Sequence, residues 1–98
     1  MNTTVFDVEF SRKALKQTKK LPKNLQIKLA LRDWVYFVKN KGLLAAQQYP
    51  GYKDEALSGD RTGQRSARLN KAYRIIDKLK SNKAVTFVNI EEVNKHAY

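Results

Sequence analysis

Two runs of β-forming residues, 64–69 and 73–79, stand only three residues apart, and this spacing restricts the fold more than any other feature of the chain. A connection so short cannot hold a crossover, so the runs are expected to pair as an antiparallel hairpin around Asn70-Lys71-Ala72. A loop of three residues then sets Leu69 against Tyr73, Arg68 against Arg74, Ala67 against Ile75, Ser66 against Ile76 and Arg65 against Asp77. Side chains alternate between the faces of a strand, so Ala67, Leu69, Tyr73 and Ile75 share one face, and Ser66, Arg68, Arg74 and Ile76 share the other. The first set suits a core. The second brings a pair of arginines side by side, which repulsion disfavours unless carboxylates or an anionic partner relieve it.

The remaining elements follow from periodicity and capping chemistry. Residues 5–10 alternate like a strand, with Phe6, Val8 and Phe10 facing one way. Ser11 suits a helix N-cap, and residues 12–20 put Ala14, Leu15 and Thr18 on one side of a helix and lysines on the other, until Pro22 interrupts it. Residues 24–40 supply a broad apolar face from Leu25, Ile27, Leu31, Trp34, Val35 and Val38, with Gly42 placed to end the helix. A short helical turn at 43–48 and a turn at Tyr49-Pro50-Gly51-Tyr52 follow, and residues 84–93 form the last strand. Gly59-Asp60-Arg61-Thr62-Gly63 is another turn, since it lacks the Lys-Ser/Thr ending of a phosphate-binding loop. The expected architecture is α+β: one small domain over residues 1–98, its N-terminal strand and helical hairpin packed on a twisted antiparallel sheet.

Charge narrows the partners. Twenty Lys and Arg against nine Asp and Glu give a formal net charge of +11, so nucleic acid or a strongly acidic protein is the expected partner. Apolar runs such as 34–38 are far too short to span a bilayer, and the first residues lack the charged start and apolar stretch of a secretory signal. A cytoplasmic location, with no membrane partner, is the expectation. The absence of cysteine and the single histidine exclude a disulfide framework and the common Cys/His zinc sites, so any catalysis is expected to need neither metal nor cofactor.

Chemistry concentrates in the last third of the chain. Arg68 and Arg74 can clamp phosphates, His96 can exchange a proton near neutral pH, and Tyr98 can stack on a base or donate a hydrogen bond. Lys53 leads into these strands and either reaches a phosphate or is simply solvated. Lys13, Lys16, Lys19, Lys20 and Lys23 form a charged helix surface that RNA could touch, although such a surface is commonly only hydrated.

The run Leu57-Ser58-Gly59-Asp60-Arg61-Thr62-Gly63-Gln64-Arg65-Ser66-Ala67-Arg68-Leu69-Asn70, then Tyr73-Arg74-Ile75-Ile76, then Glu92-Val93-Asn94-Lys95-His96-Ala97-Tyr98, resembles the RelE/HigB-type toxins of bacterial type II toxin–antitoxin modules, within the RelE/ParE superfamily. With the opening strand and the Lys-rich helical hairpin, the resemblance covers nearly the whole chain. It implies a small fold with helices on one side of the sheet and a basic, concave face on the other. It also implies cleavage of mRNA, in many members within the ribosomal A site, and neutralisation by a cognate antitoxin. Carried over by position, Arg68 and Arg74 hold the scissile phosphate, and His96 with Tyr98 forms the C-terminal pair for proton transfer or base stacking. Lys53, Arg61, Arg65 and Lys95 are further RNA contacts. The implied reaction is attack of a ribose 2′-hydroxyl on the adjacent phosphate, with a base, an acid and cations to stabilise the phosphorane.

Departures bear on the roles. Ser58 stands where some RNA-cleaving relatives have lysine, and Ala97 where an acidic residue is often found, which leaves Glu91, Glu92 and Lys95 as candidates for the base. Two alternatives share the fold: a ParE-like gyrase inhibitor and a noncatalytic RNA-binding module.

Overall fold

The hairpin forms in the register that its short connection predicts, Arg68 opposite Arg74 and Arg65 opposite Asp77, in a computed structural model that describes residues 4–21, 25–82 and 84–95. Asn70 closes the turn by accepting the Ala72 and Tyr73 N–H groups on its Oδ1, each at 2.8 Å. In chain order the elements are β1 (Val8–Phe10), α1 (Arg12–Lys19), α2 (Leu25–Lys41), α3 (Leu43–Gln48), a 3-10 turn (Pro50–Tyr52), β2 (Glu55–Ala56), a second 3-10 turn (Gly59–Arg61), β3 (Gln64–Arg68), β4 (Tyr73–Ser81) and β5 (Thr86–Lys95).

The strands form a single sheet in the order β1-β5-β4-β3-β2. It is mixed rather than wholly antiparallel, because β1 runs parallel to β5, Val8 beside Val88 and Phe10 beside Ile90. A parallel pair needs a long connection, and here everything between the first and last strands supplies it. The expected strand over 5–10 is also shorter. The Val5 carbonyl accepts the Leu43 N–H at 2.8 Å, so the segment ahead of β1 is held at the α2–α3 junction, with Val5 buried and Phe6 exposed. Gly42 permits this approach: its φ is +91°, and a Cβ there would lie 2.6 Å from the Thr4 side chain.

Ser11 caps α1 as its sequence position predicts, its Oγ accepting the Ala14 N–H at 2.9 Å and donating to the Glu91 carbonyl at 2.7 Å. These bonds lay α1 along β5 beyond the reach of β1. There the Val93 N–H donates to the Gln17 side chain at 2.7 Å. The apolar side of α2, with Ile27, Leu31, Trp34 and Val38, covers Ala67, Ile75, Val88, Ile90 and Val93 on one face of the sheet. The rings of Phe37, Tyr49 and Tyr52, with centroids 5.0–5.8 Å apart, fasten the turn before β2 to this helix. Among the described residues no helix is long and apolar enough to cross a membrane.

One irregularity decides what β5 presents. Its pairing with β4 slips between Ile76–Glu92 and Asp77–Ile90, leaving Glu91 as the extra residue of a β-bulge. Ile90 and Val93 can therefore both face the core while Glu92 turns to the opposite side.

Candidate active site on the open sheet face

The face of the sheet away from the helices carries Ser66 and Arg68 from β3, Arg74 and Ile76 from β4, Glu55 from β2, and Glu92 and Asn94 from β5, as their pairing requires. Arg74 stands at its centre. Its Nη1 donates to Ser66 Oγ at 2.7 Å and lies 3.8 Å from Glu55 Oε1. Only 12 % of the Arg74 side chain is exposed, against 55 % for Glu55, so a well-fixed cation sits beneath an accessible carboxylate. Ser66 and Ile76 are buried although they point away from the helices. Arg68 faces Arg74 directly across the ladder, half-buried, and among the described residues makes no ion pair.

A second cluster lies toward α1. Arg61 Nη1 approaches Glu92 Oε2 at 2.9 Å and donates to Gln64 Oε1 at 3.0 Å. Lys13 Nζ comes within 3.5 Å of Glu92 Oε1, which also accepts the Asn94 amide at 2.8 Å. Burial pushes the Glu92 carboxyl up, but the hydrogen bond and charge of Arg61, and then Lys13, outweigh it and hold the group below its ordinary value. Glu92 is thus an ionised tether for cations rather than a group poised to exchange a proton.

The residues singled out in the sequence are divided by the fold. Arg68, Arg74 and Arg61 meet on or beside the open face. Arg65 does not join them: it lies on the helix side of β3, its Nε donating to Asp54 Oδ1 at 2.6 Å. Lys53 is exposed at the end of the first 3-10 turn, with a left-handed φ of +43°. Lys95 is exposed at the end of β5, opposite Tyr73, on the helix side of the sheet. His96 and Tyr98 lie outside the described residues.

Glu55 and Asp54 went unread in the sequence, since a strand of only two residues leaves no periodic trace. Glu92 stood only as one candidate base among several. A signal for its orientation was present, because Val88 and Ile90 alternate and the next apolar residue, Val93, comes three positions later, as a bulge requires. Asp77 shows its nature only through burial: it is 2 % exposed, and desolvation first, then the Asp54 charge, raise its carboxyl to about 7 against the pull of Arg65.

This arrangement of helices on one face of a mixed five-stranded sheet matches solved toxins along nearly its full length. YafQ from E. coli strain BL21(DE3) superposes with a TM-score of 0.73 at 22% identity, covering 92% of each chain. The chain has the fold of these toxins. The YafQ fold recurs in the E. coli DinJ–YafQ toxin–antitoxin complex, which matches at a TM-score of 0.70 and 23% identity over 92% of this chain and 91% of that one. The YoeB–YefM complex from Staphylococcus aureus matches at 0.69 and 20% identity over 94% and 98% of the two chains. No protein-family model matches the sequence, and no curated protein does.

Proposed function

We propose that this chain is the toxin of a toxin–antitoxin pair and cleaves mRNA on the open sheet face, with the ribosome presenting the message in the cytoplasm. The observation that carries this reading is the Arg74 guanidinium, fixed by Ser66 at 2.7 Å beneath the accessible Glu55 carboxylate at 3.8 Å. A guanidinium already oriented by a neighbour takes a phosphate with little loss of freedom, and Arg68 across the ladder adds a second cation for the charge that builds on the phosphorane.

Glu55 is the carboxylate best suited to remove the 2′ proton. It touches Arg74, so it is within reach of a phosphate bound there, and it is open to substrate. Glu92 is less suited, because Arg61 and Lys13 occupy both its oxygens and disfavour its protonation. Attack then forms the O2′–P bond and breaks the P–O5′ bond, giving a 2′,3′-cyclic phosphate and a 5′-hydroxyl. The leaving oxygen takes a proton from an acid, the role assigned to His96, while Tyr98 stacks on a base. Lys13, Arg61 and Lys53 extend the cationic surface toward the flanking nucleotides. The cognate antitoxin would place acidic groups over Arg68 and Arg74.

Induction of the wild type and of Arg74→Ala in bacteria, with 5′ ends mapped on translated and untranslated transcripts, tests the reading. New 5′-hydroxyl ends on translated messages, absent with the variant, are expected. Growth arrest without new ends would overturn it in favour of a gyrase inhibitor.

A further inference from the structure

Arg65 is anchored beneath the sheet by a carboxylate that the open face never sees. The Asp54 side chain is 1 % exposed and accepts the Arg65 Nε–H at 2.6 Å, while Asp77 stands opposite Arg65 in the ladder with its Oδ2 unpartnered among the described residues. Buried carboxyls are costly unless something compensates them, and here the compensation is a single guanidinium.

What this tie holds in place is β2. That strand has only two residues, pairs with β3 at Glu55–Ser66 and Ala56–Arg65, and forms the outer edge of the sheet. So short a ladder fixes a strand weakly. Asp54 immediately precedes Glu55, and successive side chains of extended backbone point to opposite sides. With Asp54 drawn under the sheet by Arg65, Glu55 is turned above it, toward Arg74.

We propose that Arg65 is a positioning residue, acting through its ion pair with Asp54 to hold the Glu55 carboxylate against Arg74, and that it does not contact RNA phosphate. This rests on the reading of Glu55 as the base. The sheet thus carries an anchor on its covered side for a reacting group on its open side.

Single-turnover cleavage, RNA affinity as a function of salt, and the NMR signals of the Glu55 carboxyl and the Arg74 Nε–H test the proposal in wild type, Arg65→Met, Arg65→Lys, Glu55→Gln and the Glu55→Gln/Arg65→Met double variant. Arg65→Met is expected to slow cleavage by roughly 10- to 100-fold, the scale of a small misplacement of a reacting group, with RNA affinity and its salt slope unchanged. Arg65→Lys should recover part of the rate, and in the Glu55→Gln background Arg65→Met should cost nothing more. A weaker affinity with the salt slope reduced by about 0.7 would mark a direct phosphate contact and overturn the proposal, as would losses that multiply in the double variant. If Arg65→Met does not fold, Asp54→Asn, which keeps the side-chain shape and weakens the tie, takes its place with the same expected outcome. The NMR readout stands apart from activity: a wild type that cuts no RNA would sink the ribonuclease reading alone. Unmoved Glu55 and Arg74 signals in Arg65→Met or Asp54→Asn would sink the positioning role whatever the activity.

Discussion

Arginines of the same strand pair acquire opposite roles from the alternation of the pleat: Arg74 turns to the open face and Arg65 is taken by a buried aspartate. Arg74→Ala should abolish RNA cleavage while lowering the unfolding free energy by only about 1–2 kcal/mol, since it loses its bond to Ser66 but no place in the core; urea unfolding beside a cleavage assay checks both. Glu55→Gln should leave RNA binding intact and slow cleavage by roughly 10²- to 10⁴-fold, and binding lost in step with cleavage would remove it as the base. Asp77 gives a stability prediction. Its folded carboxyl sits at about 7 against an ordinary 3.8, so the folded state holds this proton more tightly than the unfolded one. Its contribution is complete below about pH 4 and is lost as the pH rises through 7. The wild type should therefore weaken between about pH 4 and 7, by at most about 4 kcal/mol, while Asp77→Asn stays flat; denaturant midpoints across that range decide it. The arginine pair was legible because fixed spacing and a short loop determine its register. The carboxylates were not, because burial and edge pairing decide their roles.

Among the elements, hairpin β3–β4, the capped α1 and a strand at β1 follow from local sequence, whereas the short extent and parallel partner of β1, and β2 altogether, do not. A strand of three residues lying parallel to one from the far end of the chain, and another of two residues at the opposite edge, are set by tertiary packing that no short window records. The bulge in β5 is intermediate, visible in the spacing of Ile90 and Val93 once a partner strand is known. Its consequence is testable by deleting Glu91. The deletion removes the extra residue, so Ile90 and Val93 should still face the core and Glu92 the open side in plain alternation, with a loss of only about 1–2 kcal/mol from the Glu91 carbonyl that accepts the Ser11 hydroxyl. A thermal melt far below the wild type would show that β5 cannot close the gap in this register.

For the molecule as a whole, the helical hairpin, the sheet and the basic character were readable from periodicity and charge, and the fold agrees with solved toxins at identities near 20%. The mixed sheet was not readable, because its parallel pair joins the two ends of the chain. Charge at this scale yields a binding prediction: affinity for single-stranded RNA should fall log-linearly with salt, and Arg68→Ala should reduce the slope by about 0.7, which fluorescence anisotropy across a salt series would detect. An unchanged slope would take Arg68 off the RNA path. The sheet's margins carry a different consequence. β5, the longest strand, is covered on its outer side by β1 and then by Gln17 of α1, and the strands left at the two margins have three and two residues. Among the described residues another copy of the chain finds too little backbone at either margin to zip onto, so fibre formation is opposed there by geometry as well as by mutual repulsion.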